Sequence, residues 1–325
     1  MKIVKFDKPG LPGVLKVLDS GIPEPKDNEV LIRNLAIGVN RPDLLQREGL
    51  YPAPKGHSDI LGLEVSGIIE KIGKDVKKFN IGDKVCSLLD GGGYAEFSVA
   101  KENQTIKFPE NLTFEEAAGV PECFMTCWSN LIIRGKIQKG EKVLIHGGSS
   151  GIGTTAIQIL SLFNCKIYTT VGTEKKKKFC EKLGANFVMN YNKDDFYELV
   201  KKETENSGVN LIFDMVGGDY IQKNIDLLSN DGRLINIAFQ KGHKVNINMM
   251  RVMLKRLTIT GSTLRIRDEL FKNRIINDLE NKIFPEILKG KIKPVIDSVF
   301  KIDDVVKAHK RLYSKEHIGK IILKT

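Results

Sequence analysis

The chain has 325 residues, of which 41% are hydrophobic and 28% charged, with five cysteines and a formal net charge of +11. That length predicts two folded domains, and the apolar content excludes a disordered chain. Cys86, Cys123, Cys127, Cys165 and Cys180 are odd in number and irregularly spaced, so they exclude a disulfide scaffold and read as reduced thiols. No apolar run approaches membrane-spanning length, and "MKIVKFDKPG" lacks a signal-peptide core, so a cytoplasmic protein is the expectation. The excess of lysine admits an anionic partner, nucleic acid or a cofactor phosphate, and equally a merely solvated surface.

Up to about Phe108 the pattern is of short strands between Gly, Pro and Asn turns: "VKFDKPG", "NEVLIRNLAIGVN", "LGLEVSGIIEKIG", "IGDKVCSLL" and "GGYAEFSVA". From about Leu112 to Gly261 apolar strands alternate with amphipathic helices: "EKVLIHG", "CKIYTTVG", "ANFVMNY", "VNLIFDMVG", "GRLINIAF" and "RLTITGS" are the strands. Such alternation predicts a parallel sheet covered on both faces. A tail of strand "IDSVF", helix "KIDDVVKAHKRLYS" and strand "GKIILKT" is too small to fold alone and is expected to complete the first domain.

The first strand of the parallel segment runs into "LIHGGSSGIGTT", and the helical pattern "TTAIQILSLF" follows directly. Of the dinucleotide fingerprint G-x-G-x-x-G, the chain shows Gly148, Ser149, Ser150, Gly151, Ile152 and Gly153, with serine in place of the middle glycine. Alone this is a weak match, since a Gly-rich strand-to-helix turn needs no ligand. Its place between strand and helix gives it mechanical meaning, because backbone amides and the helix start then face a pyrophosphate. Ser150 keeps its amide and adds a hydroxyl, which this reading directs toward phosphate.

Binders of the dinucleotide without a 2′-phosphate carry an acidic residue at the end of the second strand. Here "KIYTTV" runs into Gly172 and Thr173, and Glu174 precedes Lys175, Lys176, Lys177 and Lys178. Cations in a first helical turn oppose the macrodipole unless an anion faces them. The cluster therefore favours NADPH, against the alternative of a solvated lysine-rich helix.

Together "GVNRPDLLQREGLYP", "ILGLEVSGIIEKIG", "GDKVCSLLDGGGYAEF", "HGGSSGIGTTAIQI", "KLGANFVMNY", "LIFDMVGG" and "HIGKIIL" resemble the medium-chain dehydrogenase/reductase superfamily over essentially the whole chain. Within it they most resemble the zinc-free quinone oxidoreductases related to zeta-crystallin, especially the branch induced by the p53 tumour suppressor. The resemblance implies a GroES-like β-rich catalytic domain over residues 1–119 and 264–325 and a Rossmann doubly wound parallel-sheet domain over 120–263, with the cofactor between them. In the superfamily's zinc enzymes the match to "LGLEVSG" supplies a histidine ligand and the match to "IGVNRPD" a cysteine; Leu63 and Asn40 stand there instead. No histidine or further cysteine lies close to Cys123 and Cys127 in the sequence, and the pair read as small buried residues at a helix start. A metal site is not expected.

The resemblance implies NADPH-driven reduction of quinones, which are electron-poor enough to need little beyond orientation against the nicotinamide and no dedicated proton donor. Reduction of α,β-unsaturated carbonyls is the nearest alternative. The family's substrate-side positions are matched by Asn40, Asp43 and Tyr51; the first two read equally well as a helix cap, the third as a surface loop aromatic. Family cofactor positions carry over onto Thr126, onto Gly148, Ser150, Gly151, Ile152 and Gly153 at the pyrophosphate, and onto Gly172, Thr173, Lys176 and Tyr191 at the 2′-phosphate. Phe239, Leu264 and Arg265 match segments near the nicotinamide and phosphates, with a core aromatic and a solvated arginine as the plain alternatives. Relatives pair the last Rossmann strand between subunits, so "RLTITGS", with its β-branched residues, predicts a homodimer. Binding of RNA or a lens-type structural role remains the alternative from another class, disfavoured because no stretch interleaves lysines with aromatics.

Overall fold

A computed structural model describes all 325 residues. They form two compact units, residues 1–125 with 264–325, and residues 126–263.

The first unit begins with β1 (Lys2–Lys5), β2 (Lys16–Asp19), β3 (Glu29–Val39), α1 (Arg41–Arg47), β4 (Glu64–Ile72), β5 (Lys84–Leu88), β6 (Phe97–Lys101), β7 (Thr105–Lys107), α2 (Phe114–Ala117) and the start of α3 (Pro121–Cys127). Residues 120–125 belong to this unit, which therefore reaches beyond residue 119, and the Glu122 amide is tied to Glu64 Oε2 at 2.7 Å. The second unit holds β8 (Lys142–His146), α4 (Gly151–Leu162), β9 (Lys166–Val171), α5 (Glu174–Leu183), β10 (Phe187–Asn190), α6 (Phe196–Glu203), β11 (Val209–Asp214), α7 (Tyr220–Leu227), β12 (Leu228–Asn236), α8 (Met249–Leu254) and β13 (Thr258–Gly261). The chain then returns to the first unit with α9 (Glu269–Asp278), α10 (Phe284–Leu288), β14 (Ile296–Lys301), α11 (Val305–Tyr313) and β15 (Lys320–Lys324).

The second unit is built on a parallel sheet in the order β10-β9-β8-β11-β12-β13. The order in which strands are added reverses between β8 and β11, the switch point outside which α/β sheets bind ligands at their carboxyl ends. Leu144, Tyr168, Ile212 and Leu234 of four neighbouring strands are buried in one core cluster with α6 and α7, as their near-continuous apolar runs require.

The first unit's main sheet has the order β14-β15-β3-β4-β5-β7, with β6 also on β3. β15, from the last residues of the chain, pairs antiparallel with β3 through Ile321 and Val39. Val30, Ile32, Ile37, Val65, Val85 and Leu323 fill its core. Three features escape sequence periodicity: β2 is mostly exposed, β7 has three residues, and α8 buries none of its own. Such elements carry no inside-outside alternation to read.

Candidate active site

The turn after β8 is organised by Ser150. Its backbone is extended, and its hydroxyl accepts from the Gly153 amide at 2.9 Å and donates to the Gly147 carbonyl at 2.8 Å. A helix start leaves amides without partners, and an N-cap serine is the nearest acceptor. The hydroxyl therefore completes its own turn instead of facing a phosphate, which corrects the direction expected from sequence. The amides of Gly151 and Ile152, first in the 12-residue α4, meet no acceptor in the protein. A side chain at Gly148 would strike Thr169 Oγ1, and one at Gly153 would strike the Gly147 carbonyl, so the backbone itself forms this surface. Free amides at the start of a long helix suit a pyrophosphate.

At the end of β9, Gly172, Thr173, Lys176 and Tyr191 come together. The Thr173 hydroxyl caps α5 by accepting from the Lys176 amide at 3.3 Å. A Cβ at Gly172 would stand 2.5 Å from the Tyr191 hydroxyl, and Asn192 Nδ2 donates to the Gly172 carbonyl at 2.8 Å. Of the four successive lysines only Lys176 is buried, at 9% exposure. Glu174 is engaged elsewhere: it accepts from Asn190 Nδ2 at 2.8 Å and pairs with Lys193 at 3.4 Å. The Asn190 hydrogen bond, more than any other contact, holds its carboxyl below the usual range. The tip thus offers two hydroxyls and no uncommitted carboxylate, with the buried Lys176 in the helical turn that follows, a set that fits a phosphate monoester.

Thr126 is nearly buried, and its carbonyl accepts from Ser129 Oγ at 3.0 Å and Asn130 Nδ2 at 2.9 Å. Phe239, 46% exposed beyond β12, lies over Gly217, where a Cβ would come within 2.7 Å of its ring. Sequence reading missed the polar group beneath. Asp214, fully buried at the end of β11, accepts from the Val216 amide at 2.6 Å, Asn236 Nδ2 at 3.0 Å and Asn224 Nδ2 at 3.2 Å. His146 Nε2 in turn donates to Asn224 Oδ1 at 2.8 Å. Burial holds the imidazole below its ordinary pKa.

In the first unit, Asn40 and Asp43 begin α1. Asp43 is 1% exposed, and its carboxylate accepts from the amides of Asn40 at 2.7 Å and Gly62 at 3.0 Å, and from the Tyr94 hydroxyl at 3.3 Å. Burial lifts its carboxyl to about 6. The capping alternative is the one these bonds describe. A buried chain continues behind it: Arg47 Nη1 donates to His309 Nδ1 at 3.1 Å, and His309 Nε2 donates to the Tyr94 hydroxyl at 3.0 Å. A guanidinium cannot accept, which fixes the direction of every donor in this chain.

The Asn40 side chain donates to Glu64 Oε1 at 2.9 Å and accepts from Lys320 Nζ at 2.6 Å. Lys320 also pairs with Glu64 at 2.6 Å; they are 5% and 0% exposed. Tyr51 is half-buried, its ring 5.7 Å from the Arg265 guanidinium, and its hydroxyl finds no partner in the protein. Arg265 is a second correction: Nε and Nη2 donate to the Asp90 carbonyl at 3.0 and 2.6 Å, and Nη1 donates to Gln46 Oε1 at 2.9 Å. A guanidinium 7% exposed must satisfy its donors locally, so its free reach toward a phosphate is gone. Leu264 beside it is half-buried. The Glu64–Lys320 pair, invisible to local patterning, had one sequence signal: a carboxylate inside the apolar run "ILGLEVSG".

A GroES-like β unit with a Rossmann sheet of this strand order is the architecture of the medium-chain dehydrogenase/reductases. Residues 26–110 match the model for the alcohol dehydrogenase GroES-like domain, and residues 151–277 that for zinc-binding dehydrogenases. The chain is 33% identical to the human quinone oxidoreductase over 328 aligned positions, covering 99% of this chain and 97% of that protein. The Escherichia coli quinone oxidoreductase, solved as an NADPH complex, superposes with a TM-score of 0.90 at 28% identity over all of both chains. The CurK enoyl reductase gives a TM-score of 0.86 at 28% identity, covering 99% of this chain and 98% of that one. The chain belongs to the quinone oxidoreductase family of this superfamily. No three His, Cys, Asp or Glu side chains converge in metal-ligating geometry, and no helix is long and apolar enough to cross a membrane.

Proposed function

We propose that the protein is an NADPH-dependent quinone reductase that needs no zinc. The observation that carries the reading is Lys176, buried in the first turn of α5 after a strand end whose nearest carboxylate is already occupied. When bound, the reduced nicotinamide supplies a hydride. The Gly151 and Ile152 amides take the pyrophosphate, while Thr173, Lys176 and Tyr191 surround the 2′-phosphate. Thr126, Phe239 and Leu264 belong to the nicotinamide side, and Asn40 and Tyr51 face the acceptor. Asp43 is a positioning residue, since its oxygens are all bonded within the fold. Against a metal stand Leu63, which cannot ligate, and the Asn40 amide, already bonded on both sides by Glu64 and Lys320.

The test follows NADPH and NADH absorbance with ortho- and para-quinones and with an enone. Lys176→Ala is expected to raise the KM for NADPH about tenfold or more, the value of one charge-assisted hydrogen bond, and to leave that for NADH nearly unchanged. Equal effects reject the phosphate role, and no oxidation of either cofactor rejects the enzyme. Turnover with the enone alone would promote the second reading, an enone or enoyl reductase, which the likeness to CurK favours.

A homodimer through β13 forms part of the proposal. β13 is an edge of the six-stranded sheet. Beside it Met249, Met250, Met253 and Leu254 of α8 are 56–63% exposed, and Ile259 39%. An unpaired edge next to an apolar helix with nothing buried suits self-pairing about a two-fold axis. A monomer by light scattering at micromolar concentration would reject it.

A further inference from the structure

Glu122 opens α3 inside the Asn40–Glu64–Lys320 cluster of the first unit, and nothing so far has given it a task. Its amide donates to Glu64 Oε2, while its own carboxyl, half-buried, makes no hydrogen bond or ion pair in the protein. Neither of its oxygens is sealed from solvent, so the carboxyl is open to a ligand. The groups facing it are Glu64 on β4, Lys320 on β15, Asp43 on α1 and Lys272 on α9. Its charge is also felt by the Tyr51 hydroxyl and the Arg265 guanidinium. Lys320 is already committed to Glu64 at 2.6 Å and to Asn40 at 2.6 Å, and Lys272 to Asp90 at 2.6 Å. Two cations are thus spent on other oxygens, and Glu64 and Asp43 leave two carboxylates beside a third. Burial first, then the Glu64 charge, push the Glu122 carboxyl up to about 8.

We propose that Glu122 is the acid that delivers a proton to the oxygen of the reduced acceptor. The inference rests on the quinone reductase reading and deepens it. A quinone that has taken a hydride is a hydroquinone monoanion. Its oxygen forms a bond to the Glu122 proton as the Glu122 O–H bond breaks, giving neutral hydroquinone and a Glu122 carboxylate. The carboxylate then regains a proton from water, so one quinone, one hydride and one proton balance one hydroquinone. Tyr51, on the acceptor side of the same unit and with a hydroxyl that has no partner in the protein, would orient that oxygen. Burial, with the Glu64 charge second, keeps Glu122 protonated at neutral pH against the opposing charge of Lys320. The sequence shows no acid–base pair because Glu122 owes its raised pKa to burial and to Glu64, neither of which local pattern reveals.

Glu122→Gln and Glu122→Asp, assayed with NADPH and an ortho-naphthoquinone across pH 6–10, test the step. Wild type should lose kcat as pH rises through about 8. Glu122→Gln should lower kcat by about a hundredfold, the usual scale for a general acid, lose the alkaline limb and keep the KM for NADPH; Glu122→Asp should regain part of the rate. A Glu122→Gln enzyme with the wild-type rate and limb overturns the proposal while leaving the reductase reading intact. An independent readout uses ligand-free protein: the infrared carbonyl stretch of a protonated carboxyl should titrate with a midpoint near 8 and vanish in Glu122→Gln. A midpoint in the ordinary carboxylate range overturns the proposal even if no quinone is ever turned over. A wild type that oxidises no NADPH, with the infrared signal in place, would instead sink the reductase reading and the proton step with it.

Discussion

Replacing Lys320 by methionine keeps most of the side-chain volume and removes the one cation on Glu64. Glu64 is 0% exposed, and the Nζ to Oε1 distance is 2.6 Å. Nζ also donates to the Val39 carbonyl at 3.1 Å and to Asn40 Oδ1 at 2.6 Å, so the substitution orphans a buried carboxylate, a carbonyl and an amide oxygen. Breaking a buried pair from one side costs about 3–5 kcal/mol, or roughly two to three and a half decades in the folding constant. Two bonds to Glu64 survive, from Asn40 Nδ2 and the Glu122 amide, which places the expectation at about 3 kcal/mol, the low end of that range. Urea denaturation of wild type, Lys320→Met, Glu64→Gln and the double variant closes the cycle. The double variant should recover most of the loss, because the penalty belongs to the lone charge and not to the missing pair. A loss below about 1 kcal/mol for Lys320→Met, the range of exposed pairs, or a double variant as unstable as the sum of the singles, refutes the reasoning.

Ser150→Ala removes the cap on α4 and should destabilise the second unit by about 1 kcal/mol, read as a lower urea midpoint with an unchanged slope; no shift would contradict the inward hydroxyl. His309 is held neutral by burial and the adjacent Arg47 charge, with its pKa pushed down to about 3. Its folded value lies below its unfolded one, so the unfolded chain binds more protons between these values and stability should fall as pH drops from about 6.5 toward 3. His309→Gln, which can still accept from Arg47, should flatten that limb in acid denaturation curves; an identical limb would place the acid sensitivity elsewhere. Met253→Lys on α8 should shift light scattering from dimer to monomer, and an unaltered mass would exclude this face.

Much of the fold was legible because the second unit writes itself locally. Most of its strands are apolar runs closed by Gly or Asn, and Thr173 and Ser150 stand where caps are needed. The glycine turn was legible too, yet the use of the Ser150 hydroxyl was not, since choosing between its own turn and a phosphate requires the backbone direction. Arg265 failed for a different reason. Its partners, the Asp90 carbonyl and Gln46, are far away in the chain, and no local pattern announces that a basic residue will be buried. Asp43 was half legible: its capping spacing to Asn40 is local, whereas Tyr94 and His309 behind it are not. Glu122, Glu64 and Lys320 come from three separate strands and helices, and only the closed sheet sets their charges against one another.

The position of β15 has a consequence for biosynthesis. It lies between β14 and β3 in the first unit's sheet, so on the ribosome β3 keeps an open edge until β15 emerges. The second unit, residues 126–263, is continuous and has all six of its strands synthesised by then. This order of synthesis predicts that the sheet of the second unit closes before the first unit's sheet, whose edge is completed late by the strand that carries Lys320.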